Sequence, residues 1–159
     1  MKRGARFSPC GEFRYDLWRI WDDSRDYVHF IMLNPSTADA EKNDPTVERC
    51  QRFALRWGFG GLHVGNLFAF RSTLPENLKT HPDPVGPGNN RTLLYRARRA
   101  ARVVCAWGNH GKHLDRAETV RALLRKHGIP LHVLRITRQG EPGHPLYLPK
   151  HSSIYPWEN

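Results

Sequence analysis

The chain has 159 residues, 39% hydrophobic and 25% charged, which suits one globular domain over residues 1–159 and excludes a largely disordered chain. Lys and Arg number 25 against 15 Asp and Glu, and the formal net charge of +10 points to a polyanionic partner, with a basic surface that binds nothing as the plain alternative. No apolar run approaches the roughly 18 residues of a membrane span, no signal-peptide core follows Met1-Lys2-Arg3, and three scattered cysteines (Cys10, Cys50, Cys105) signal neither a zinc ribbon nor an iron–sulfur cluster and suit a reducing cytosol.

In chain order, Phe13 to Trp21 alternates and reads as a strand. After the polar turn 22–26, Tyr27 to Leu33 (YVHFIML) is a compact apolar run of the kind found in a buried strand. The two are expected to pair as an N-terminal hairpin. Asp44-Pro45 opens a helix, with Asp44 as cap and Pro45 in the first turn. Val47, Cys50, Phe53, Ala54 and Trp57 then share one face. Leu62 to Phe70 (LHVGNLFAF) is the next strand, followed by a Pro- and Gly-rich loop over 71–90. A basic helix over 90–101, a core strand over 103–107, an amphipathic helix over 115–127 and a fourth core strand over 131–136 complete the pattern. The tail from His144-Pro145 onward holds too many prolines for regular structure.

Core strands alternating with helices predict an α/β fold: three layers, α/β/α, with a mostly parallel central sheet of about four strands plus the N-terminal β-hairpin. Sites in such sheets form at the carboxyl ends of the strands. That rule selects 34–39, 66–71, 108–113 and 137–149.

Each of these segments carries a residue with a chemical reading and a bland one. Asn34 leaves its strand at a rigid Asn-Pro exit and can orient a water or an amide-bearing ligand, or serve a turn. Asn66, inside an apolar strand, can read a base edge with its donor and acceptor, or be satisfied by backbone. Arg71 can meet a phosphate or only water. Trp107-Gly108-Asn109-His110-Gly111 suggests close backbone approach or a simple turn. His110 and His113 lack a third ligand nearby, so no metal and no cofactor is expected. His144, held in Gly140-Glu141-Pro142-Gly143-His144-Pro145, can donate a hydrogen bond to a developing anion, or sit in solvent.

The order of these segments resembles the uracil-DNA glycosylase superfamily: a strand ending at N-P, a strand carrying N-L-F-A-F-R, a strand ending W-G-N-H-G, then G-H-P-L. More closely, MLNPSTAD, DPT, NLFAFR, AWG and HPLYL resemble a bacterial and phage family, DUF1643, a domain of unknown function. The chain departs from the superfamily at Leu146, where a Ser is common after His-Pro, and at Ser36, where related N-P motifs often have Gly.

The resemblance implies a glycosylase-like domain that hydrolyses the N-glycosidic bond of a flipped-out, damaged or modified base in nucleic acid, DNA rather than RNA. Asn34 would hold the water and His144 would stabilise the departing base. Asn66 would read the base, with Phe68 or Phe70 stacking on it. Leu146 or Tyr147 would fill the gap in the duplex. Arg71, Arg96, Arg99 and Arg138 would contact phosphates, with the arginines of the 90–101 helix on the rim of the pocket. Two alternatives stay open: an enzyme on a free modified nucleoside or nucleotide, and a non-catalytic nucleic-acid-binding module. A cytoplasmic location is expected, with neither membrane nor protein partner.

Overall fold

The computed structural model describes residues 1–158. In chain order the elements are β1 (Lys2–Phe7), β2 (Arg14–Ile20), β3 (Tyr27–Met32), α1 (Pro45–Arg56), β4 (Gly61–Asn66), α2 (Glu76–Thr80), α3 (Asn89–Arg99), β5 (Arg102–Cys105), α4 (Arg116–Lys126), β6 (Leu131–Val133) and β7 (Tyr155–Pro156). Two 3-10 segments, Asn109–Asp115 and Pro145–Tyr147, follow β5 and β6. The strands form one sheet in the order β1-β2-β4-β3-β5-β6-β7. β4, β3, β5 and β6 run parallel, while β1, β2 and β7 join antiparallel at the edges.

Side-chain alternation explains why β3 sits inside the sheet. Val28, Phe30 and Met32 enter the core beneath α1, with Val47, Cys50, Phe53 and Ala54. Ile31 and Leu33 enter the opposite core, with Leu93 and Ala97 of α3 and Val120 and Leu124 of α4. β5 divides in the same way, Val104 to one side and Val103 and Cys105 to the other. A strand buried on both faces is expected to be apolar at both parities, and Tyr27–Met32 meets this except at the buried His29. The α1 N-terminus is built as its sequence dictates: Asp44 Oδ1 accepts from Val47 N at 2.8 Å and Pro45 fills the first turn.

Several expectations change. β2 and β3 do not form a hairpin, because β4 lies between them and pairs with both. The N-terminal hairpin is β1 with β2. The sheet therefore has seven strands among the described residues rather than about four. β4 ends at Asn66, four residues short of the predicted strand, since Leu67 N and Phe68 N turn to Met32 O and Leu33 O. The 71–90 loop contains α2, and the Pro-rich tail still supplies β7 at the sheet edge, where Pro is tolerated. No helix among the described residues is long and apolar enough to cross a membrane.

Candidate functional site

The carboxyl ends of β3, β4 and β5 open onto one cleft of about 570 Å³, lined among others by Asn34, Asn66, Trp107, Gly108, His144 and Tyr147. That volume lies within the roughly 300–1,000 Å³ of small-molecule sites. Each wall follows from its local chain. β3 hands over to Asn34-Pro35, and Ser72 N bonds Pro35 O at 2.9 Å. Asn34 Nδ2 donates to Ser72 O at 2.9 Å and to Pro35 O at 3.1 Å. Both amide hydrogens are thus engaged, and Oδ1 has no protein donor among the described residues.

The loop carrying His144 is stitched to the end of β5. Gly108 N donates to Pro142 O at 2.8 Å, Thr137 Oγ1 to Asn109 Oδ1 at 2.6 Å, and Trp107 Nε1 to Glu141 Oε1 at 3.4 Å. Gly108 sits at φ 76°, a region open to glycine, and lines the cleft. Leu146 N points at His144 Nδ1 at 3.2 Å, so that nitrogen accepts and the neutral ring carries its proton on Nε2. Burial holds the His144 pKa below its usual value of 6.5, with the Asp44 charge opposing. The ring is therefore a neutral donor at neutral pH.

Asn66, at the end of β4, is buried, and its Oδ1 takes a long 3.5 Å contact from Arg14 Nη2. Its Nδ2 has no protein acceptor among the described residues. Arg14 itself is only 2% exposed, donates from Nη1 to Ala38 O at 3.0 Å, and keeps an unpartnered Nε. Burial pulls its pKa down to about 10, against the favourable charge of Asp44. Asp44 completes the polar wall, its Oδ2 accepting from Ala38 N at 3.3 Å.

A family model matches residues 14–146. The chain belongs to the DUF1643 family, a protein family of unknown function. The match takes in β2 through the His144 turn, and so every one of these cleft residues except Tyr147. No curated protein and no solved structure matches the chain.

Set against the sequence-based expectations for this DUF1643 chain, Asn34, Asn66, His144, Leu146 and Tyr147 line the cleft together. Tyr147 is 81% exposed at its mouth. Arg138 is exposed, next to the cleft-lining Thr137. The remaining residues lie elsewhere. Phe68 is fully buried in the core beneath α3 and α4, against His113. Phe70 packs with Phe13 and with His81 at 4.2 Å. Both miss the cleft because β4 has already ended. Arg71 donates to Gly11 O and covers the Phe7 ring. Arg96 Nε bonds Asp16 Oδ2 at 2.8 Å, and Arg99 folds onto Tyr95. α3 supplies no lining residue, so the expected arginine rim on that helix is not formed.

Sequence reasoning missed Arg14 and read Asp44 only as a cap. The available signal for Arg14 was a charged residue within an aromatic-rich strand. Asp39, the carboxylate visible in the first motif, is spent on a turn, accepting from Glu41 N and Lys42 N.

Proposed function

We propose that this chain hydrolyses the N-glycosidic bond of a base held in the cleft, as a glycosylase-like enzyme acting on nucleic acid. The observation that carries this reading is the convergence of Asn34, Asn66 and His144, from three separate chain segments, on one cleft at the carboxyl ends of parallel strands. A mostly parallel core with helices on both faces supports the accompanying resemblance to the uracil-DNA glycosylase superfamily.

The chemistry follows from the unengaged atoms. As the bond from base to sugar lengthens, the pair of electrons leaves with the base and the sugar becomes cationic. His144 Nε2–H, neutral and partly desolvated, donates to the anionic base and stabilises it more than the ground state. Asn34 Oδ1 accepts a hydrogen of the attacking water and fixes its direction. An amide oxygen is too weak a base to take that proton outright, so the water adds once charge has developed on the sugar. The proton it sheds as the C–O bond forms ends on the released base anion, leaving the free base and a sugar hydroxyl. Asp44 sets a carboxylate in the same wall, where it favours that cationic charge. Asn66 Nδ2 meets an acceptor on the edge of the base, and Tyr147 replaces the two phenylalanines as the exposed ring available for stacking.

The test is kinetic. On a substrate that the wild type turns over, His144→Ala is expected to lower kcat by about a hundredfold or more with little change in affinity. Asn34→Ala is expected to behave similarly, with the fold of each variant verified by thermal melting. Full turnover in both variants would remove these residues from the mechanism.

A further inference from the structure

A second depression, of about 420 Å³, runs along the exposed side of α1. Its floor is apolar, from Pro45, Phe53 and Leu146, and its walls are cationic, from Arg49, Arg52, Arg56 and Lys150. Arg49, Arg52 and Arg56 fall at i, i+3 and i+7, so the helix repeat aligns them in one row. Glu48, the one carboxylate lining this groove among the described residues, pairs with Arg52 at 3.3 Å and accepts from Asn43 Nδ2 at 2.9 Å. Arg49 holds the groove's shape by donating from Nη2 to Leu148 O, which ties the turn after His144 to α1. Arg56 and Lys150 are exposed and make no side-chain hydrogen bond or ion pair among the described residues.

The groove adjoins the cleft. Leu146 lines both, and Pro45 in the groove stands between Asp44 and Thr46 in the cleft wall. The cleft contains one cation and one carboxylate, Arg14 and Asp44, so its own charge does not draw in a polyanion. The excess positive charge lies next door.

We propose that this groove carries the sugar–phosphate backbone of the single strand flanking the nucleotide in the cleft. The inference rests on the nucleic-acid reading above. A row of cations above an apolar floor suits a chain that alternates phosphates with flat, weakly polar bases. The phosphate track thus follows α1, not α3, where the sequence had placed it. Leu146 stands at the junction and separates the held nucleotide from its neighbour.

The experiment measures binding of a fluorescein-labelled single-stranded DNA of mixed sequence, about 15 nucleotides long, by anisotropy over a range of salt concentrations. Two triple variants remove equal charge. One neutralises the groove (Arg52→Gln, Arg56→Gln, Lys150→Gln). The other neutralises exposed cations of α3 (Arg91→Gln, Arg98→Gln, Arg99→Gln). With about 0.7 counterions released per phosphate contact on single strands, the groove set should reduce the slope of log Kd against log salt by about 2. The α3 set should leave it nearly unchanged. Equal effects of the two sets, or an unchanged slope in the groove set, overturns the groove. A wild type that binds no DNA even at low salt overturns both the groove and the nucleic-acid reading. Binding that depends on the groove without any release of base upholds the groove and sinks the hydrolase.

Discussion

Arg14 and Arg19 show how this chain places charge where sequence alone expects none. Both leave β2 and are buried. Neither forms an ion pair among the described residues; backbone carbonyls of the 38–42 loop receive them instead, Ala38 O from Arg14 and Asp39 O and Lys42 O from Arg19. Five donors on a planar guanidinium suit this work, since one side chain can pin several carbonyls. The loop that runs from Asn34 to Asp44 is thereby held as a fixed wall of the cleft. His29 is another buried polar residue, with Nδ1 at 3.2 Å from His63 O and Nε2 unpartnered among the described residues. Burial pushes its pKa down from 6.5 to about 4, against the pull of Asp16. The folded protein keeps this ring neutral where the unfolded chain protonates it. Between about pH 6.5 and about pH 4 the unfolded state binds more protons, so stability falls as pH falls through that window, by on the order of 3 kcal/mol for this one group. His29→Leu removes the titrating ring and should flatten the acid limb of a plot of Tm against pH. The same slope in the variant and the wild type would show that another group sets acid stability.

At the scale of elements, packing between β4 and α3 depends on one missing side chain. A Cβ on Gly65 would stand 2.7 Å from Leu93 Cδ2 and 3.1 Å from His29 Cε1, both in buried side chains. Gly65→Ala is expected to cost about 1–3 kcal/mol in a denaturant titration, as overpacking does. An unchanged midpoint would mean that α3 moves away without penalty. The elements most legible in the sequence were those with a two-sided or periodic apolar signal: β3, β5 and the faces of α1 and α4. β1 (KRGARF) was not visible because it is an edge strand with three cations and little apolar content, a common way of keeping an edge from pairing further. Strand order was also hidden. A polar turn between β2 and β3 reads as a hairpin, yet β3 gains burial on both faces only with β4 and β5 beside it. In the site, Asn34 and Asn66 stood out because they lie at strand exits, and His144 because a Gly- and Pro-rich loop beyond β6 carries it. Phe68 and Phe70 were misplaced because an apolar run does not show where its strand stops.

At the scale of the whole molecule, a cleft lined by one cation and one carboxylate lies beside a groove lined by four cations and one carboxylate. In the proposed reading the cleft does the chemistry and the groove attracts the polyanion. The net charge of +10 carries no address; the arginines spaced at 49, 52 and 56 on α1 are the more specific sequence trace of that second feature. In the same reading, the neutral His144 donor, Asn34 with its amide engaged and the open Nδ2 of Asn66 are the groups that would act in release of a base. The most direct measurement is mass spectrometry of free bases released from a panel of DNAs, each with one modified or deaminated base. The wild type should release one chemical class of base, and His144→Ala should release it at least about a hundredfold more slowly. Wild-type protein that binds these DNAs and releases no base from any of them would contradict the account.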